Sequence, residues 1–126
     1  MLSQEQIHEF KRMLEQRRAE LHEKIHQELL KSDNEQYIAL AGQVHDLGEQ
    51  SVADLLVDVN LADIDRHINE LREVEEALGR IAQGTYGICI DTGEPIELER
   101  LRAEPTAKRT KQAQEAYERA LAASSL

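Results

Sequence analysis

Gly84-Thr85-Tyr86-Gly87-Ile88-Cys89-Ile90-Asp91-Thr92-Gly93-Glu94-Pro95-Ile96 leads, after Glu97-Leu98-Glu99, into Arg100-Leu101-Arg102-Ala103-Glu104-Pro105-Thr106-Ala107-Lys108-Arg109-Thr110-Lys111-Gln112-Ala113. Positions 89, 92, 110 and 113 stand in the spacing C-x2-C-x17-C-x2-C, which four cysteines would turn into a structural zinc site. Here they hold Cys89, Thr92, Thr110 and Ala113. One thiolate does not close a tetrahedral site, and neutral hydroxyls are poor zinc ligands. The spacing therefore predicts a zinc-ribbon-like module that folds without metal, and no cofactor is expected.

Around that core the module reads as small and mixed. Residues 86–90 suit a short strand, 91–94 a turn and 95–96 a returning strand, together a short β-hairpin. Residues 97–102 suit one helical turn ending before Pro105. Residues 106–121 are helical in composition, with a frayed end after them. Without zinc, the module must lean on a mini-core of Tyr86, Ile88, Ile90, Ile96, Leu98, Leu101 and Tyr117. Thr92 and Thr110 are expected to replace metal bonds with hydrogen bonds to backbone amides.

Upstream of Gly84 the pattern is that of long helices. Ser3 and Gln6 are spaced as a capping box. Ile7, Phe10, Leu14, Leu21, Ile25 and Leu29 then recur at helical period. Ser32 and Glu35 form a second possible box, leaving the continuity of this helix open. Val57, Leu61, Ile64, Ile68, Leu71, Val74, Leu78 and Ile81 make a coiled-coil seam, predicting a helix of about 30 residues over 52–83. Gly48 marks a reversal. The fold class is mainly α: a long antiparallel coiled-coil hairpin over residues 1–83, with its tip near 44–52, then the module and C-terminal helix over 84–126. A plain helical bundle is the other reading of the same pattern.

The chain has 25 acidic and 15 basic residues, a net charge of −10. Such a chain lacks the Lys/Arg–phosphate contacts on which nucleic-acid affinity rests, and anionic membranes repel it too. Sequence-specific nucleic-acid binding is not expected, and a protein partner with a basic surface is. A single Cys, no signal-like N-terminus and no apolar run near 18 residues predict a cytoplasmic, disulfide-free protein. Charge is also segregated. Residues 32–65 carry eight acids (Asp33, Glu35, Asp46, Glu49, Asp54, Asp58, Asp63, Asp65) and no Lys or Arg. Arg100, Arg102, Lys108, Arg109 and Lys111 lie beyond residue 84. Solvated helix faces are the ordinary meaning of such runs, but acids gathered at a hairpin turn also suit a basic cleft.

The pattern Gly84, Tyr86, Gly87, Cys89, Gly93, Ile96, Arg100, Leu101, Ala103, Pro105 and Ala107 resembles the zinc module of the DksA/TraR family of bacterial transcription factors. It departs from that module at Thr92, Thr110 and Ala113. The resemblance runs from about Asp46 onward. It implies a non-enzymatic regulator, expected to be a monomer, that inserts an acidic coiled-coil tip into the secondary channel of bacterial RNA polymerase. The family's D-x-x-D-x-A tip motif falls on Asp46, Glu49 and Ser51. Glu49 keeps the charge on a longer arm, and Ser51 replaces Ala. Arg66, Arg100, Arg102, Lys108 and Arg109 would anchor on the channel rim. Family members of the stringent response bind a guanosine tetraphosphate alarmone jointly with polymerase. Arg66 keeps one basic position for it, while Glu73 and Gln114 stand where Lys is expected, so weak or absent alarmone dependence is implied.

Two alternatives remain open. One is a scaffold coiled coil with no polymerase role. The other is a transcript-cleavage accessory resembling GreA, whose tip carboxylates hold a second magnesium. His22 and His26, spaced i,i+4, could share a metal but have no obvious third ligand. Cys89 as a redox sensor lacks a resolving cysteine. Asp63 and Asp65 have neither pocket nor nucleophile to make them catalytic.

Overall fold

The computed structural model describes residues 1–47, 52–59 and 62–124. The elements are α1 (Gln4–Leu30), α2 (Glu35–Leu47), α3 (Ala62–Gln83), α4 (Leu98–Ala103) and α5 (Lys111–Ser124), with one 3₁₀ turn, Ala53–Leu56, between α2 and α3. The chain forms two compact units, Leu14–Glu76 and Met1–Met13 with Ala77–Leu126. Residues 1–13 and 77–83 thus belong with the module, whereas the sequence division fell at Gly84.

The capping box at the start of α1 is present: Gln6 N–H donates to Ser3 Oγ at 3.1 Å and Ser3 N–H to Gln6 Oε1 at 2.9 Å. In the unit Leu14–Glu76, the predicted stripe Leu14, Leu21, Ile25 and Leu29 is buried. α1 stops at Leu30. Ser32 Oγ accepts Asn34 N–H, and Asn34 Oδ1 accepts Gln36 N–H at 2.8 Å. The cap of α2 is therefore Asn34, not the Ser32–Glu35 box, because Asn34 directly precedes Glu35 and its amide oxygen reaches the second N–H of the new helix. α2 lies against α1: a His26 ring nitrogen is 2.7 Å from the Ala41 carbonyl, and the His26 and His45 rings are 5.3 Å apart.

α3 runs antiparallel to α1. Arg17 Nε donates to Glu70 at 2.7 Å, while Glu28, further along α1, pairs with His67, earlier on α3. Ile64, Ile68, Leu71 and Val74 are buried, as the seam requires. The helix is shorter than expected, 22 residues from Ala62. Val52, Ala53, Leu56 and Val59 turn inward before it, and this leaves Val57 outward at 65% exposure. Leu61 lies outside the described residues. Past Val74 the buried position is Ala77, with Leu78 and Ile81 half-buried.

In the other unit, α3 ends in a Schellman motif. Thr85 N–H bonds the Arg80 carbonyl at 2.9 Å and Gly84 N–H the Ile81 carbonyl at 3.1 Å, with Gly84 at φ 80°. The expected β-hairpin is reduced to one antiparallel bridge, Ile88 to Pro95, and no strand forms among the described residues. Leu101, Tyr86, Ile96, Cys89, Ala107 and Ala113 form the core, with Phe10 of α1 5.7 Å from the Tyr86 ring. Ile90 and Tyr117, expected inside, are 51% and 41% exposed. Ile88 and Leu98 are half-buried.

Candidate functional site

The four positions of the zinc spacing belong to two tight turns of the module. In the first, Gly93 N–H bonds the Cys89 carbonyl at 2.9 Å, and Cys89 N–H bonds the Glu94 carbonyl at 2.8 Å. Gly93 sits at φ 74°, a conformation that a side chain would strain. Thr92 Oγ1 accepts Glu94 N–H at 3.2 Å. In the second, Thr110 is the residue before α5, and its Oγ1 accepts Ala113 N–H at 3.1 Å. This is an N-cap bond to the third helical residue.

Cys89 joins the two turns. Its side chain is buried, and burial pushes the thiol pKa up. The Thr92 hydroxyl and the backbone N–H groups of Thr110, Thr92 and Asp91 outweigh that and bring it to about 7. A cluster of donors thus points at the one remaining sulfur. The donor set does not fit a structural zinc ion: there is one thiol, two hydroxyls already accepting backbone N–H bonds, and no donor atom on Ala113. The hydrogen bonds expected of Thr92 and Thr110 are both present.

The basic residues divide by environment. Arg109 is buried; its Nε donates to Asp91 Oδ2 at 2.7 Å and its guanidinium carbon lies 3.8 Å from the Tyr117 ring centre. Arg100 Nε donates to the Arg109 carbonyl at 2.9 Å. Both guanidinium groups are tied into the module. Lys108 is half-buried, and Arg102 and Arg66 are exposed. Asp91 was missed as the partner of Arg109, since the two are 18 residues apart and meet only through the turns.

Asp46 is exposed in the last turn of α2. Glu49 and Ser51 lie outside the described residues. His26 is engaged with Ala41 and His45. His22 Nε2 is buried without a hydrogen bond. Burial lowers the His22 pKa, Glu75 raises it and Arg18 lowers it. Among the described residues no three His, Cys, Asp or Glu side chains are placed to hold a metal, and no helix is long and apolar enough to cross a membrane.

A mainly helical chain that ends in a turn-and-helix module with the spacing of a four-cysteine site defines a narrow class, and comparison with known proteins agrees. The model of the prokaryotic dksA/traR C4-type zinc finger matches residues 84–119. The RNA polymerase-binding transcription factor DksA of Caulobacter vibrioides is 39% identical over 74 residues, 59% of this chain and 52% of that one. General stress protein 16O of Bacillus subtilis is 44% identical over 63 residues, 50% of this chain and 37% of that one. This chain spans about half the length of the Caulobacter relative it matches. Among solved structures, transcription factor DksA2 from Pseudomonas aeruginosa aligns with a TM-score of 0.61 at 29% identity, covering 93% of this chain and 86% of that one. The RNA polymerase binding protein and transcriptional regulator Dks from Chlamydia trachomatis aligns at 0.56 and 26% identity, covering 96% of each chain. Residues 84–119 match the DksA/TraR zinc-finger family, and the chain resembles DksA proteins in sequence and in fold.

Proposed function

We propose that this protein is a zinc-independent transcription regulator that binds bacterial RNA polymerase through its secondary channel. The relatives named for polymerase binding support the partner. The observation that carries the zinc-free reading is the Thr110–Ala113 cap: two ligand positions of the family module are bonded to each other. Asp46, Glu49 and Ser51 would act near the polymerase active site. Asp46 sits at the C-terminal end of α2, where the helix dipole disfavours a carboxylate by a few tenths of a kcal/mol, roughly. Its charge therefore does not serve the helix. Arg66 and Arg102, both exposed, are the anchor candidates with heads in solvent, and Arg100, Lys108 and Arg109 are held within the module. A module that keeps its fold without metal would supply the family's activity when zinc is scarce. Glu73, exposed at an expected Lys position, supports weak alarmone dependence.

The test is binding of purified protein to bacterial RNA polymerase at moderate salt. It compares wild type with Asp46→Ala/Glu49→Ala, with displacement by a GreA-type factor and zinc content measured alongside. Displaceable binding, a transcription effect lost in the double variant and no stoichiometric zinc are expected. No binding at micromolar concentration would leave the scaffold reading. Metal-dependent RNA cleavage lost on Asp46→Ala would assign the GreA-like role. One tightly held zinc per chain would overturn the metal-free module.

A further inference from the structure

Between α2 and α3, the backbone at Val52 and Ala53 is pinned from outside its own turn. Val52 and Ala53 open the 3₁₀ turn, and their N–H groups donate to the two oxygens of Glu75 at 2.8 and 3.1 Å, from 23 and 22 residues away in the chain. A carboxylate across two adjacent N–H groups acts as a cap supplied by another helix, with charge-assisted bonds. Val52, Ala53, Leu56 and Val59 are buried beneath it. With the inward positions filled, Leu55 and Val57 face out, 38% and 65% exposed, between exposed Asp54 and Asp58. The turn therefore holds aliphatic side chains in water in a fixed arrangement, flanked by two carboxylates.

Charge decides what can cover this face. It lies within the stretch 32–65, which has eight acids and no Lys or Arg. A second copy would set carboxylate against carboxylate. Nucleic acid and anionic lipid are repelled in the same way. The complementary partner is a protein wall with Lys or Arg around an apolar floor.

We infer that Asp54, Leu55, Val57 and Asp58, positioned by Glu75, form a docking surface for a basic protein channel wall, with the two aliphatic side chains as the apolar contact. This rests on the polymerase reading and extends it beyond Asp46, Glu49 and Ser51. The charges steer association and the aliphatic pair slows release.

Polymerase binding is measured for wild type, Leu55→Ser/Val57→Ser, Asp54→Asn/Asp58→Asn and Glu75→Ala, with helix content followed by circular dichroism. The serine pair should weaken binding about tenfold or more at unchanged helix content. The asparagine pair should flatten the salt dependence. Glu75→Ala should weaken binding and speed hydrogen exchange at the Val52 and Ala53 amides. Wild-type affinity in the serine pair overturns this surface while leaving the polymerase reading intact. Absence of wild-type binding overturns that reading and this surface with it. Self-association of wild type abolished by the serine pair assigns the face to a second copy and overturns the inference.

Discussion

Thr110 Oγ1 accepts the backbone N–H of Ala113 at 3.1 Å, so two positions spaced as metal ligands are instead the two ends of a helix cap. The bond is buried and opens the 14-residue helix α5. A helix terminus leaves N–H groups without intrahelical partners, and a threonine at this place satisfies one of them.

Thr110→Ala should therefore destabilise the module by about 1 kcal/mol, and Thr110→Ser should restore most of it. Chemical denaturation followed by helix signal measures both. An unchanged midpoint for Thr110→Ala would mean that the cap contributes nothing.

Chelation should leave the melting temperature of the wild type unchanged. The triple variant Thr92→Cys/Thr110→Cys/Ala113→Cys, which restores C-x2-C-x17-C-x2-C with Cys89, should bind one zinc and melt higher with metal than without. Zinc content and thermal melts with and without chelator are the readouts. A triple variant that ignores zinc would show that the turns have left the metal-binding geometry.

Arg109→Lys should cost about 1–2 kcal/mol although the charge is kept. Lysine cannot both donate to Asp91 through a planar Nε–H and lay a guanidinium over Tyr117. Asp91→Asn should cost less, because Asp91 is exposed and its pairing is screened. Denaturation midpoints of the two variants test the order.

The Tyr86 phenol donates to the Pro105 carbonyl at 2.7 Å, and burial pushes its pKa up to about 12, with Arg80 opposing. The folded value is raised above the ordinary value near 10, so the neutral phenol is the form that the fold favours. The stabilisation is complete below about pH 10 and is lost as pH rises towards 12. Tyr86→Phe should be less stable than wild type at pH 8, by about 1 kcal/mol for the unpaired carbonyl. The gap should close, or reverse, between pH 10 and 12. Melting curves of both proteins over that range check it.

Gly87→Ala should destabilise more than Gly84→Ala. Both glycines have positive φ, but an added Cβ at Gly87 would lie 2.8 Å from Leu2 Cδ1, whereas Gly84 faces open space. Equal midpoints for the two variants would contradict the crowding at Gly87.

The stripe Leu14, Leu21, Ile25, Leu29 and the seam Ile64, Ile68, Leu71, Val74 were legible because burial on a helix repeats with the helix, and side-chain polarity alone reveals it. The capping box at Ser3–Gln6 was legible for the same local reason. The module was legible through spacing: Cys89, Thr92, Thr110 and Ala113 mark two turns even without metal. What the sequence determined by itself is therefore whatever depends on residues a few positions apart, namely helices, caps, turns and net charge.

Tertiary structure decided the rest. Glu75 caps Val52 and Ala53, Arg109 is taken up by Asp91 and Tyr117, and Val57 leaves the seam because Leu56 and Val59 fill the inward side. Each outcome depends on a partner many residues away. The chain closed those distances only by folding, and then a buried donor or apolar surface took the nearest group able to satisfy it.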